Sequence, residues 1–268
     1  MDMLFENILA KPGYGCDMIS TPGLTSFLNC TRVRETVMTN FRLFLVAALL
    51  VGFVTPAYAG YDEAKAAYDR REFAKAYAEF RPLAEQGDAG AQFNLGQMLY
   101  NGEGVSRDYK EAAKWYRKAA DQEHTQAQFL LGFLYLGGQG VEEDKGEALK
   151  WFRKAADRGE AFAQMLLGEI YAHGDHGVKQ DYAEAVNWYS KAADQGLAAA
   201  QCDLGVMYAK GQGVPQDLVR AHMWFNLALS RGLKGAEKNR DKVAKDMTPP
   251  QIAEAQRMAA EWKPKCSD

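Results

Sequence analysis

The stretch Thr125–Glu160, TQAQFLLGFLYLGGQGVEEDKGEALKWFRKAADRGE, decides the fold, because the chain repeats it with small changes both before and after. Its Leu131-Gly132 pair returns in the series Leu95-Gly96, Leu131-Gly132, Leu167-Gly168 and Leu204-Gly205, at intervals of 36, 36 and 37 residues. Its Trp151 belongs to the series Trp115, Trp151, Trp188 and Trp224, at intervals of 36, 37 and 36. The surplus residue maps to one loop, where Gly102-Glu103-Gly104, Gly138-Gln139-Gly140 and Gly211-Gln212-Gly213 correspond to Gly174-Asp175-His176-Gly177. Two landmarks sharing one period, with helical spacing inside each unit, predict an all-α solenoid of stacked helix pairs. The four units are 89–124, 125–160, 161–197 and 198–233.

Inside each unit the recurring residues divide the structural work. The first helix carries small and apolar residues at i, i+4 and i+7, such as Ala91, Leu95 and Met98 or Ala127, Leu131 and Leu134, which share one helical face. Gly96, Gly132, Gly168 and Gly205 lie within that helix, where glycine costs about 1 kcal/mol relative to alanine, so a close packing contact is expected there. The Gly-x-Gly-Val loop then turns the chain. Asp108, Asp144, Asp181 and Asp217 follow at one fixed offset, three of them with a glutamate three residues later. That pattern reads as an N-cap with a first-turn acid near the helix dipole, a role that repetition favours over catalysis. The pairs Trp115-Tyr116, Trp151-Phe152, Trp188-Tyr189 and Trp224-Phe225 are expected to fill the space between neighbouring hairpins.

The combined pattern, Ala-x-Ala-Gln-x-x-Leu-Gly-x-x-Tyr-x-x-Gly-x-Gly-Val-x-x-Asp followed by Ala-x-x-Trp-Tyr-x-Lys-Ala-Ala, resembles the Sel-one-like repeat, a relative of the tetratricopeptide repeat. It departs at Leu99, where the other units have tyrosine, and at Leu227, where they have lysine. The resemblance implies a right-handed α/α superhelical solenoid and a role as an adaptor or scaffold in protein complexes, with no catalytic site and no cofactor. One branch of that family links helices by cysteine pairs within each repeat, and the present repeats lack them.

The ends are expected to be atypical helix pairs that close the core. Residues 60–88 form the first, with Tyr61–Arg70 and Phe73–Gln86 as helices and Ala64, Ala67, Tyr68, Phe73, Tyr77 and Phe80 as the apolar set. Residues 234–268 form the last, with helices at Ala236–Lys245 and Pro249–Trp262 and Thr248 as N-cap, Pro249 at N1 and Gln251 at N3. The repeats and their ends are expected to make one elongated body.

Residues 38–59 have the layout of a secretory signal: Arg42, an apolar run from Leu43 to Val54, Pro56, and an Ala57-Tyr58-Ala59 site cut before Gly60. The run is shorter than the ~20 apolar residues of a membrane span, so a periplasmic or secreted product without a stable span is expected after cleavage. Residues 1–37 show no periodic apolar face; the preferred reading starts translation at Met38, and the alternative keeps the hydrophobic segment as an uncleaved anchor. Cys16 and Cys30 lie upstream of the cut, which leaves Cys202, at a core position, and Cys266, in the polar tail. A bridge between them is compatible with an oxidising compartment but is not required by their spacing.

A net charge of −3, with basic and acidic residues interspersed, argues against a dedicated nucleic-acid binder. No nucleophile elbow, phosphate loop or zinc-finger spacing occurs. His173, Asp175 and His176 form the only His-Asp cluster, in the enlarged loop, without the further ligands a metal site needs. The residues that vary between repeats carry the functional expectation. On the first helices they follow i, i+4, i+7 and i+11, and the resemblance implies that this stripe lines the concave side. Leu130, Phe133, Phe162 and Leu166 are expected to give it an apolar centre, flanked by Asn94 and Gln97 on one side and by Glu169, Asp203, Val206 and Lys210 on the other. The expected occupant is an extended peptide or a helix of a partner protein, while the competing reading packs some of the apolar members between repeats. A second function class, an envelope hydrolase or carbohydrate-active protein, would use Glu169 and Asp203 as its acid pair.

Overall fold

The computed structural model describes the backbone of residues 55–265 and the side chains of residues 60–265. The extension 1–37, the apolar run Leu43–Val54 and Cys266 lie outside the described residues. Among the described residues there are twelve α-helices and no strands. In chain order they are α1 (Thr55–Asp69), α2 (Phe73–Glu85), α3 (Ala89–Asn101), α4 (Tyr109–Asp121), α5 (Thr125–Gly137), α6 (Lys145–Asp157), α7 (Ala161–His173), α8 (Tyr182–Asp194), α9 (Ala198–Lys210), α10 (Leu218–Ser230), α11 (Ala236–Ala244) and α12 (Pro249–Glu261). The fold is an all-α solenoid of helix pairs. Helix α1 begins upstream of Gly60, the residue expected to follow the signal cut. The described residues divide into two compact units, 55–124 and 125–265, where one elongated body was expected from the repeats. Each repeat of a solenoid packs only on its neighbours, so compactness is a local property and a boundary falls between repeats.

The recurring sequence positions account for the starts of the second helices and for several first-helix ends. Asp108, Asp144 and Asp217 each accept a backbone N–H three residues on at 2.9 Å, and Asp181 accepts two, from Ala183 and Glu184. These bonds satisfy donors that a helix start leaves without partners. Glu111 and Glu147 do not reach back to the cap; each pairs with a lysine one turn on, Lys114 and Lys150. Thr248 caps α12 as expected, with its backbone N–H donating to Gln251 Oε1 at 2.8 Å. At the loops, Gly102, Gly174 and Gly211 end their helices with left-handed backbone. The following glycine answers to a different constraint. A Cβ on Gly213 would lie 2.1 Å from the Tyr182 carbonyl oxygen at the start of α8, so the loop is threaded against the preceding repeat.

The glycines inside the first helices have the expected packing reason. A Cβ on Gly132 would lie 2.5 Å from Phe152 Cε1, and one on Gly168 would lie 2.6 Å from Tyr189 Cδ1. Gly96 and Gly205 stand in the same relation to Tyr116 and Phe225. The second aromatic of each pair therefore lies flat against a bare stretch of first helix inside its own hairpin, and all four of these rings are buried. The tryptophans are buried too, and Lys118, Lys154 and Lys191 each place their Nζ 3.9 Å from the ring centre of Trp115, Trp151 and Trp188. Leu227, the departure from this lysine position, is buried, and Trp224 instead meets Trp262 of the closing pair edge-on at 6.3 Å. The last repeat thus exchanges a solvent-facing cation for apolar cover.

One recurring residue has a role that the sequence pattern left unexplained. Gln92, Gln164 and Gln201 are buried, and each donates its side-chain N–H to a carbonyl at the end of the preceding second helix: Ala84 O at 3.0 Å, Ala156 O at 3.0 Å and Ala193 O at 3.2 Å. Helix C-termini leave carbonyls without intrahelical donors, and this glutamine supplies one across the repeat junction. Cys202 is fully buried, as expected, and it is also disulfide-bonded; the other three cysteines of the sequence lie outside the described residues.

Candidate functional site

The stripe of varying first-helix residues splits into consumed and available members. Asn94, in the unit 55–124, is buried, and its amide donates to Tyr61 Oη at 3.0 Å and to Gly90 O at 2.8 Å. It ties α3 to α1, and Gln97 beside it is half-buried. In the unit 125–265, Phe133 is only 9 % exposed, meeting Phe152 at 5.0 Å and Phe129 at 4.8 Å between ring centres. Leu166 joins the same core cluster. Asn94, Phe133 and Leu166, expected on a partner-binding surface, are therefore interior residues. Phe133 and Leu166 are apolar side chains that gain more by joining the core than by facing water, and Asn94 is held by its hydrogen bonds to Tyr61 and Gly90.

What remains accessible is smaller and more defined. Phe162 is 37 % exposed, and among the described residues it is the exposed large hydrophobic side chain. Its ring stacks loosely on Phe129 with centres 6.5 Å apart, so the partly exposed side chain rests on the core. Leu130 packs half-buried beside the same cluster. Further along, Glu169, Asp203, Val206 and Lys210 line one cavity of about 750 Å³ within the unit 125–265. The first helices α7 and α9 supply these residues, and the wall is completed by Asn239 and Lys242 of α11 and by Asp246 just beyond it. These α11 residues escaped the sequence reading because the closing pair lies outside the repeat register. The only available signal was that α11 follows α10 in the place of a first helix.

The electrostatics of the cavity are lopsided. Glu169 and Asp203 are half-buried, and neither carboxylate is hydrogen-bonded or ion-paired to any described residue. Burial pushes the Glu169 carboxyl up to about 8, with the charge of Asp203 adding to the rise. Burial also pushes Asp203 up to about 7, opposed by the charge of His173. His173 is the last residue of α7, and its Nδ1 lies 2.9 Å from Glu169 O. Among the described residues no three metal-ligating side chains converge.

Comparison with known proteins follows the same repeat boundaries. The Sel1 repeat profile matches residues 89–124, 125–160, 161–197 and 198–233, more than half of the chain. The chain belongs to the Sel1 repeat family. Sel1 repeats generally mediate protein–protein interaction, and their proteins are typically scaffolds without catalytic activity. A solved Sel1 repeat protein from Oxalobacter formigenes is similar to this one at 37% identity and TM-score 0.61, over 64% of this chain and 49% of the other. A protective antigen of uropathogenic Escherichia coli displaying an SLR fold is similar at 31% identity and TM-score 0.53, over 77% of this chain and 53% of the other. This Sel1 repeat chain thus spans about half the length of the solved structures it matches. Comparison with curated proteins finds no match.

Proposed function

We propose that this Sel1 repeat protein is an exported adaptor that holds a peptide or a partner protein on the concave, first-helix side of its solenoid. The observation that carries the reading is the contrast between recurring and varying positions. Recurring residues are spent on caps, on glycine–aromatic packing and on repeat junctions, while varying ones include the partly exposed Phe162 and line a cavity along the first helices α7 and α9. A partly exposed aromatic on the helix that also lines an open cavity suits the anchoring of partner side chains. Export rests on the signal layout of residues 38–59 and on the cut before Gly60. Among the described residues no helix is long and apolar enough to cross a membrane.

The test uses peptides selected from a random displayed library on the purified protein. Replacing Phe162 by Ser is expected to weaken their binding while the far-UV circular dichroism and melting stay unchanged, since the ring is partly in water already. Phe133→Ser is unsuitable for this purpose because it opens the core. Selected peptides that bind Phe162→Ser and Leu130→Ser as tightly as the parent protein would overturn the groove. Cell fractionation with N-terminal sequencing tests the export: a periplasmic or secreted form beginning at Gly60 is expected, and an unprocessed form retained with the cytoplasm would refute it.

A further inference from the structure

The cavity of the unit 125–265 contains a charge deficit that identifies what enters it. Its two half-buried carboxylates come from different helices, Glu169 from α7 and Asp203 from α9; no described residue forms an ion pair with either of them, and only the charge of His173 favours ionised Asp203. The other charged groups facing the space are His173, Lys210, Lys242 and Asp246, with Tyr182 and Tyr189 from α8. Lys210, Lys242 and Asp246 are exposed, and neither lysine approaches a carboxylate of the pair within ion-pair distance. From α10 the cavity receives only Leu218 and Phe225. Two like-charged acids in a shared, partly desolvated space repel each other and lose hydration, and a cation between them relieves both costs. The rest of the wall mixes the amides Gln180, Gln212, Gln216 and Asn239 with aliphatic side chains, among which Met165 and Val206 suit a hydrocarbon stem.

We infer that this cavity is an anchoring pocket for a lysine or arginine side chain of the partner, its cationic head between Glu169 and Asp203 and its stem against Met165 and Val206. The inference rests on the adaptor reading and names the chemistry that the adaptor recognises. The chain's own tail is not the occupant, because Lys265 is engaged elsewhere, with its Nζ 2.6 Å from Asp194 Oδ2 and its backbone N–H 2.7 Å from Asp194 O. A proton signature accompanies binding. Because burial holds both carboxyls above their usual range, an incoming cation displaces protons from them near neutral pH.

The probe is agmatine, a guanidinium on a four-carbon chain, titrated into the purified protein by calorimetry at pH 6 and pH 8.5. Saturable binding that is several-fold tighter at pH 8.5 is expected, with proton release detected as a dependence of the heat on the buffer. The double variant Glu169→Gln/Asp203→Asn, close in shape to the parent and with unchanged circular dichroism, is expected to lose at least tenfold in affinity. Absent binding, or equal binding by the double variant, would overturn the pocket. The displayed peptides separate this failure from that of the adaptor reading. Peptides enriched in Arg or Lys and weakened tenfold by the double variant support both. Peptides weakened by Phe162→Ser but indifferent to the double variant overturn the pocket alone, and peptides indifferent to all three substitutions overturn both.

Discussion

Gly132→Ala is the substitution for which local propensity and tertiary packing predict opposite signs. In a helix interior alanine is favoured over glycine by about 1 kcal/mol, so propensity alone predicts a stabilised protein. The added Cβ, however, would lie 2.5 Å from Phe152 Cε1 and 2.7 Å from Phe152 Cδ1. Carbon atoms pack best at roughly 3.5–4.0 Å, so ring and helix must separate by about 1 Å. The ring cannot swing away freely, since it is 1 % exposed and backed by Phe133 and Phe129 with ring centres at 5.0 and 5.9 Å. Overpacking of this kind costs about 1–3 kcal/mol, which leaves a net loss of about 0–2 kcal/mol after the propensity gain. Gly137, in the same helix, provides the control, because its Cβ would meet only Gln139 Cγ at 3.6 Å. Gly137→Ala is therefore expected to be neutral or to stabilise by up to about 1 kcal/mol. Urea unfolding followed by circular dichroism measures both. Combining Gly132→Ala with Phe152→Leu should cost about 1 kcal/mol less than the sum of the two single changes, because the clash is removed once. A Gly132→Ala protein more stable than the parent by the full propensity gain of about 1 kcal/mol would refute the close-approach account of all four helix glycines.

Other consequences are open to similar measurement. Asp144→Ala removes the acceptor for the Glu147 N–H and is expected to destabilise by about 0.5–2 kcal/mol in urea unfolding, while Asp144→Asn retains most of that. Glu169 and Asp203 hold protons in the folded protein at pH values where the unfolded chain has released them, so their contribution to stability falls as pH rises from about 4.5 through about 8 for Glu169, and from 3.8 through about 7 for Asp203. Thermal melts across this range should show a decline that Glu169→Gln/Asp203→Asn flattens; an unchanged slope would count against the unpaired acids. Lys154→Ala removes the ammonium 3.9 Å from the Trp151 ring centre and is expected to cost about 0.5–1 kcal/mol, measured by the same unfolding assay. Cys202 is disulfide-bonded, so non-reducing peptide mapping should find it in a cross-linked peptide. A free Cys202 thiol would contradict that assignment.

The 36-residue period, the aspartate caps and the helix glycines were legible in the sequence because each reports a contact within one hairpin or with the next one. Such contacts recur with the repeat, and recurrence can be counted without knowing the fold. Asp108, Asp144, Asp181 and Asp217 could thus be set apart from catalytic acids by repetition alone, and the structure has all four capping helices. The junction glutamines Gln92, Gln164 and Gln201 recur as well, but their role depends on a carbonyl eight residues back and was not readable from spacing.

The varying positions obeyed no such rule. Asn94, Phe133, Phe162 and Leu166 share one stripe in sequence, yet Phe162 is partly exposed while the other three are interior. Exposure at these places depends on how deeply the neighbouring helix sits, which in turn depends on side chains from another repeat or from the ends. The same holds for Glu169 and Asp203, whose shared cavity is lined also by Lys242 of α11 and by Asp246 just beyond it, outside every repeat. The sequence by itself determined the helix pairs, their limits and their stacking, because a periodic code specifies nearest-neighbour packing. Only the tertiary structure decided which of the non-repeating side chains were left facing a cavity, because burial is a property of what surrounds a residue and not of the residue itself.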